Sequence, residues 1–172
     1  WSQTWQLNIA FQKCSVISFG HNSASHSYSL GGVLLNRVFD IHDLGVHITS
    51  DFKPSLHCAY VAAKAFQRCS LLLKALRTLN ISALCRVFHS YVRPILEYNA
   101  PVWNPWLVKD IKTVERVQRY FTRSLFKRIK IPMTSYADRL SMLGFHSLEY
   151  RRVFLDLVMC FKIVKKLVDL DA

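Results

Sequence analysis

Residues 106–130, WLVKDIKTVERVQRYFTRSLFKRIK, contain the clearest periodic pattern in the chain. Apolar and cationic residues each recur at steps of three or four, which at about 100° per residue places them on opposite faces of one helix. The predicted core face comprises Leu107, Ile111, Val114, Val117, Phe121 and Leu125. The predicted cationic face comprises Lys109, Lys112, Arg116, Arg119, Arg123 and Lys127.

Positive charge is concentrated in this helix. From residue 109 to residue 130, eight lysines and arginines stand against only Asp110 and Glu115, a net +6 that is half of the chain's formal +12. Solvated helix surfaces usually carry both signs, because oppositely charged pairs four residues apart stabilise a helix and like charges repel. The pattern therefore indicates an anionic neighbour such as nucleic-acid phosphate, with a solvated surface in a generally basic protein as the alternative.

Composition indicates a folded protein without a transmembrane helix. The chain has 172 residues, of which 51% are hydrophobic and 13% aromatic, enough for a sizeable core. The best apolar run, residues 153–164, is interrupted by Asp156 and Lys162 and is shorter than the roughly 20 residues that span a bilayer. Five scattered cysteines without a CxxC pair favour reduced thiols and no metal site. The start at Trp1, without methionine or signal peptide, is typical of a piece of a longer polypeptide.

The first fifty residues favour β-structure. Residues 1–9 have the spacing of the last turns of an amphipathic helix, and residues 13–19 are rich in strand formers. Residues 28–35 predict a hairpin around the pair Gly31-Gly32, because glycine accepts the positive φ of tight turns. Residues 38–48 predict a further strand.

From residue 55 onward the period changes to 3.6 residues, which predicts a mainly helical part and an α+β fold overall. In addition to 106–130, helices are expected over 55–79, over 82–98 with a cap at Ser82 and a kink at Pro94, over 136–143, and over 147–167. The first of these is expected to bury Leu56, Ala59, Ala63, Phe66 and Leu73. The last is expected to bury Leu148, Val153, Leu157, Phe161 and Val164.

Motifs of complete catalytic centres are absent from the sequence. There is no phosphate-binding Gly-rich loop, no GxSxG and no HExxH. The carboxylate pairs Asp40 with Asp43 and Asp169 with Asp171 have no accompanying motif and are interpreted as turn or end residues. The sequence therefore predicts no self-contained active site and no metal site.

Five segments, taken together, are similar to one known family. They are residues 5–20 (WQLNIAFQKCSVISFG), 43–65 (DLGVHITSDFKPSLHCAYVAAKA), 87–105 (VFHSYVRPILEYNAPVWNP), 109–126 (KDIKTVERVQRYFTRSLF) and 136–152 (YADRLSMLGFHSLEYRR). In order and spacing they resemble the C-terminal part of reverse transcriptases from non-LTR (LINE-type) retrotransposons of the jockey and chicken-repeat kind. The resemblance extends over nearly the whole chain.

The resemblance implies a division of the chain within a polymerase. Residues 1–53 would form the end of the palm and the primer-grip hairpin, and residues 54–172 the helical thumb and a C-terminal extension. The family's (Y/F)ADD aspartates, which bind the catalytic Mg²⁺ ions, would lie upstream of this chain. Mg²⁺ is thus implied for the parent polymerase, and no cofactor for this fragment.

The same resemblance suggests roles for individual residues. Lys13 matches a palm lysine that can act as general acid toward the leaving pyrophosphate, although Ala10 stands where the family usually has asparagine. A solvent-facing strand lysine is the alternative. Leu44, Gly45 and Val46 match the primer grip, where glycine allows close approach of the primer end, with a β-bulge glycine as the alternative.

The implied function is that of a fragment of an RNA-directed DNA polymerase that holds RNA/DNA template–primer and is inactive alone. Its partners would be the template–primer and the missing palm and fingers of the parent chain, with no membrane. Its location would be the nucleus and cytoplasm, from the life cycle of the parent element. The alternatives are a non-catalytic basic helical nucleic-acid-binding domain and a functionless relic of a mobile element. Asn99 replaces a cysteine that is common in the family, a change expected to be neutral to function.

Overall fold

The computed structural model describes residues 2, 4–20 and 26–168. Short strands occur in the first fifty residues and helices follow from Ser55, so the predicted α+β class is confirmed. The chain divides into two compact units, Trp1–Lys53 and Pro54–Ala172.

The described part of the N-terminal unit contains three two-stranded sheets. Strand β1 (Ser15–Ile17) pairs in parallel with β4 (Asn36–Val38), and the antiparallel pairs are β2 (Ser29–Leu30) with β3 (Val33–Leu34) and β5 (Asp40–Asp43) with β6 (Val46–Thr49). A short 3-10 turn, Phe11–Lys13, precedes β1. The unit has little interior: Val46, 3% exposed, is the one buried residue among those that the structure describes here.

The predicted hairpin of residues 28–35 is confirmed. Gly31 and Gly32 join β2 to β3 with φ of +58° and +79°, the left-handed conformation that glycine adopts without strain. A Cβ on Gly31 would lie 2.7 Å from Cζ of Phe11, so a larger residue at position 31 would force the Phe11 ring to move.

Two predictions in this unit are wrong. The described residues of 1–9 form turns and irregular backbone instead of helix, with Gln6 at a positive φ of +55°. Residues 38–48 are not one strand, because Leu44 and Gly45 form a turn with φ of +44° and +85° that joins β5 to β6. The predicted strand over 13–19 is shorter than expected, since Lys13 belongs to the 3-10 turn.

The described part of the C-terminal unit consists of helices joined by short linkers. Its elements are α1 (Ser55–Ala75), α2 (Ile81–Val87), a π-helical turn (Phe88–Val92), α3 (Arg93–Glu97), α4 (Ala100–Trp103), α5 (Val108–Arg128), α6 (Tyr136–Leu143) and α7 (Leu148–Val164). The π-helical turn lies directly before Pro94, where the helix must adjust to a residue that lacks an N–H. Asn80, and not Ser82, caps α2, because its side chain accepts the Ala83 N–H at 3.0 Å.

Helix α5 packs against α1 and forms the centre of the core. Its predicted core face is confirmed: Val114, Val117, Phe121 and Leu125 are buried and Leu107 and Ile111 are half-buried. Four polar side chains of α5 are buried as well, namely Asp110, Glu115, Gln118 and Thr122.

The predicted core faces of α1 and α7 are wrong. Of the residues expected to be buried in α1, only Leu73 is; the helix instead buries small side chains, including Cys58, Ala62 and Ala65, against its neighbours. Of those expected in α7, only Leu148 is buried, while Val153, Leu157, Phe161 and Val164 are exposed. Both helices carry apolar residues on more than one side, so periodicity alone could not select the buried side.

Candidate nucleic-acid interface

All six residues of the predicted cationic face are exposed on α5. The face, called the cationic row below, consists of Lys109, Lys112, Arg116, Arg119, Arg123 and Lys127. The row lies on the side of α5 opposite to the buried residues Val114, Phe121 and Leu125, and it extends over most of the length of the helix. No ion pair joins any of the six to a carboxylate within the part of the chain that the structure describes.

Neither acid of α5 lies beside the cationic row. Asp110 is buried, and its carboxylate accepts the Ser55 hydroxyl at 2.6 Å. Glu115 is buried too, and its carboxylate accepts the N–H groups of Leu148 at 3.3 Å and Glu149 at 3.2 Å. The exposed surface of α5 therefore carries positive charge without an internal counterion.

A tyrosine secures the buried Glu115 carboxylate. The Tyr136 hydroxyl donates a hydrogen bond to Glu115, and the Gln118 amide donates to the same hydroxyl at 3.1 Å. Burial, together with the hydrogen bond and charge of Glu115, raises the pKa of Tyr136 well above its ordinary value. Tyr136 thus stays protonated and keeps its role as a donor.

Neighbouring side chains of α6 hold part of the cationic row in place. The Arg119 guanidinium lies 4.0 Å from the centroid of the Tyr136 ring, a cation–π contact that fixes its position. Beneath it, Arg139 is buried and donates to the Thr134 carbonyl at 2.5 Å. Burial and then the nearby charge of Arg123 lower the pKa of Arg139.

A groove of about 340 Å³ borders the cationic row between α1 and α5. Its α1 side is formed by Ala59, Ala62, Ala63 and Phe66, and its α5 side by Thr113, Arg116 and Val117. The rings of Phe66 and Tyr120 are in contact, with centroids 4.3 Å apart and planes tilted by 37°. The small side chains allow another molecule to approach the backbone of α1 next to a free arginine.

Arg128 belongs to the same helix but has a structural role. Its guanidinium donates to the carbonyls of Leu76, at 2.5 Å, and Leu73 at the end of α1. The last carbonyls of a helix lack intrahelical partners, and a cation there also complements the helix dipole. The charge count from sequence included Arg128, whereas the structure assigns it to the α1 terminus.

The other candidate residues lie in the N-terminal unit. Lys13 is exposed at the end of the 3-10 turn, so it is a turn residue and not a strand residue. Leu44 and Gly45 form the tip of the β5–β6 hairpin, and Val46 is buried directly after it. Beside this turn the rings of His42 and His47 stack across the two strands with centroids 4.3 Å apart. Burial and then the charge of His42 lower the pKa of His47.

Sequence reasoning missed the roles of Glu115 and Arg128. Asp110 could have been placed inside, because it lies four residues before Val114 and hence on the apolar stripe. Glu115 lies four residues before Arg119, which is typical of a solvent-exposed pair, so its contacts with α6 and α7 have no local signal.

Among the described residues, no group of three or more His, Cys, Asp or Glu side chains could hold a metal ion. In the same part of the chain, every helix is too short or too polar to cross a membrane.

The chain is similar in sequence to a protein of a nematode. The chain is 30% identical over 113 residues to an uncharacterized protein of Caenorhabditis elegans. The match covers 66% of this chain and 57% of the relative, so the chain spans little more than half of that relative's length. No protein-family profile matches the chain, and no solved structure does.

Proposed function

We propose that this chain is part of a non-LTR reverse transcriptase, comprising the end of the palm, the primer grip and a helical thumb that holds RNA/DNA template–primer. The observation that carries the proposal is the cationic row, with six exposed cations on α5 and both acids of that helix buried. Such a row matches a phosphate backbone, which needs charge and no base readout. The order and spacing of the five resembling segments support the polymerase context.

The proposal includes specific roles in the N-terminal unit. Gly45, at the tip of the β5–β6 hairpin, has no side chain to keep a primer end away, and the exposed side chain of Lys13 is free to contact the leaving group of a bound nucleotide. Without the upstream aspartates and their Mg²⁺, the chain alone should not incorporate nucleotides. Detectable Mg²⁺-dependent incorporation by the purified chain would contradict this part of the proposal.

Binding across a salt series tests the role of the cationic row. The ligand is an RNA/DNA primer–template duplex, and the test variant changes Arg116, Arg119, Arg123 and Lys127 to Gln. A matched control with the same charge change replaces the exposed residues Lys74, Lys162, Lys165 and Lys166 by Gln. We expect the test variant to lose about one unit of the log–log salt slope per phosphate contact removed, and the control to keep the wild-type slope. If the test variant and the control variant had the same salt slope, the row would be only a solvated helix surface.

The alternative of a non-catalytic nucleic-acid-binding domain is supported by the cationic row alone. The reading frame upstream of Trp1 distinguishes the two: continuation into a (Y/F)ADD motif supports the polymerase, and a different upstream domain supports the alternative. Stops and frameshifts around the locus would instead favour a relic.

A further inference from the structure

Helix α7 has a second apolar face, opposite to the one that packs on the bundle. Leu148 and Arg152 are buried on the inner side. On the outer side the exposed fractions are 49% for Val153, 63% for Leu157 and 77% for Val164. Phe154 and Phe161, both 56% exposed, widen this face. At about 100° per residue these five positions share one side of the helix.

The end of α7 is exposed all round. Residues 160–167 are all exposed, including Ile163 on the side that faces the bundle earlier in the helix. A helix that carries apolar residues on two opposite sides normally packs against other elements on both sides. Among the described residues, none covers the outer face, so the fold leaves it for a partner.

The size of the face fits a stable protein interface. Each half-exposed large side chain contributes roughly 100 Å², given the 150–250 Å² that such side chains bury completely. The outer face comprises Tyr150, Val153, Phe154, Leu157, Phe161 and Val164. Together they offer roughly 600 Å², which is the lower end of what each partner contributes to a standard interface. We infer that α7 pairs with α7 of a second copy of this chain.

Charge selects the antiparallel arrangement of the two helices. Lys162, Lys165 and Lys166 are exposed at the C-terminal end, and parallel pairing would bring six lysines together. Antiparallel pairing separates the two lysine clusters by about 20 Å, because each cluster is centred about seven residues from Leu157, the middle of the outer face. In this arrangement each lysine cluster lies near the N-terminal end of the other copy's α7. That end is close to neutral, because Arg151 forms an ion pair with Glu97. Antiparallel helix dipoles also attract each other.

The pairing predicts which residues meet at the twofold axis. The outer face runs from Tyr150 to Val164, and its midpoint is Leu157. In an isologous antiparallel pair the residue at the axis lies next to its own copy. Cys160, an exposed thiol, then lies three residues from the axis in each helix, about 9 Å from its copy along the helix direction. A short thiol cross-linker should therefore join Cys160 to Cys160 of the second copy.

Sedimentation equilibrium tests the association. The full chain is treated with nuclease and measured in about 0.5 M salt, which screens contacts between exposed charges. We expect a dimer, weakened at least about 100-fold by Leu157→Asp, since an unpaired carboxylate would be buried in the interface. Leu71→Asp is the matched control, because Leu71 is a helical leucine of similar exposure, 60%, on α1. Circular dichroism verifies that both variants are folded.

Cross-linking with a short bismaleimide tests the arrangement. We expect the wild-type chain to form a covalent dimer in good yield. The Cys160→Ser variant should form none. Three results would overturn the inference: a monomer at all concentrations, a dimer that Leu157→Asp leaves intact, or a dimer not cross-linked through Cys160. A monomer that binds phosphatidylserine vesicles through Leu157 would assign the face to lipid instead.

Discussion

The carboxylate of Glu115 accepts a hydrogen bond of 3.2 Å from the backbone N–H of Glu149, so a side chain of α5 caps the first turn of α7. Its other oxygen accepts the N–H of Leu148 at 3.3 Å and the hydroxyl of Tyr136. Negative charge at a helix N-terminus is stabilising, and the first N–H groups of a helix have no partner within it. One buried carboxylate thus joins α5, α6 and α7.

Replacement of Glu115 by alanine should lower the free energy of unfolding by about 2–3 kcal/mol, because it removes charge-assisted hydrogen bonds and leaves buried donors unpaired. Glu115→Gln keeps one acceptor and should cost about half as much. The control is Glu149→Ala, which removes an exposed acid from the first turn of α7 and should lower the free energy of unfolding by less than about 1 kcal/mol. Urea unfolding measures all three, and equal losses for Glu115→Ala and Glu149→Ala would refute the capping role.

Arg128 and Arg123 should behave in opposite ways although they are neighbours in one helix. Arg128→Gln should lower the free energy of unfolding by about 1–2 kcal/mol, since the carbonyls of Leu73 and Leu76 lose a charged donor. It should leave the salt slope of duplex binding unchanged. Arg123→Gln should lower that slope and leave stability within about 0.5 kcal/mol. The same effect of both variants on slope would mean that Arg128 also contacts phosphate.

The accuracy of the sequence predictions depended on how strongly each helix separates polar from apolar residues. In α5 the charged side chains fill one side, so the core face was correct from Val114 to Leu125. In α7 apolar residues lie on both sides, and Leu157 was assigned to the core although it is 63% exposed. In α1 the buried side includes Cys58 and Ala62, small residues that carry weak hydrophobic signals.

For the candidate site, exposure was predictable and tertiary contacts were not. The cationic row followed from spacing alone, whereas the role of Glu115 requires the start of α7 to be known in space. The β5–β6 turn was missed because Leu44 has a positive φ, +44°, which is uncommon for a residue other than glycine, asparagine or aspartate. Gly45 alone was insufficient to distinguish a turn from a strand.

Acid should destabilise the helical unit through His89. Burial, followed by the charges of Arg93 and Arg151, lowers the pKa of His89 in the folded chain, and its ring lies 4.4 Å from that of Phe145. The unfolded chain therefore binds a proton more readily, so the stability contribution is present above the ordinary histidine pKa of about 6.5 and decreases as pH falls below it. His89→Gln and His89→Phe should both give a flatter loss of stability between about pH 7.5 and 5 than wild type. A wild-type profile in both variants would exclude His89 as the group responsible.

Asn99 has a backbone conformation that explains its residue type. With φ of +53° and ψ of +30°, it adopts the left-handed conformation directly before α4, and asparagine accepts this conformation better than most residues. Its side chain is exposed, so packing does not select it. Asn99→Gly should therefore change the free energy of unfolding by less than about 0.5 kcal/mol, whereas Asn99→Cys should cost about 1 kcal/mol or more. Urea unfolding of the two variants under reducing conditions measures the difference. Equal stability would mean that this turn relaxes to another conformation and that the asparagine at this position is neutral to stability.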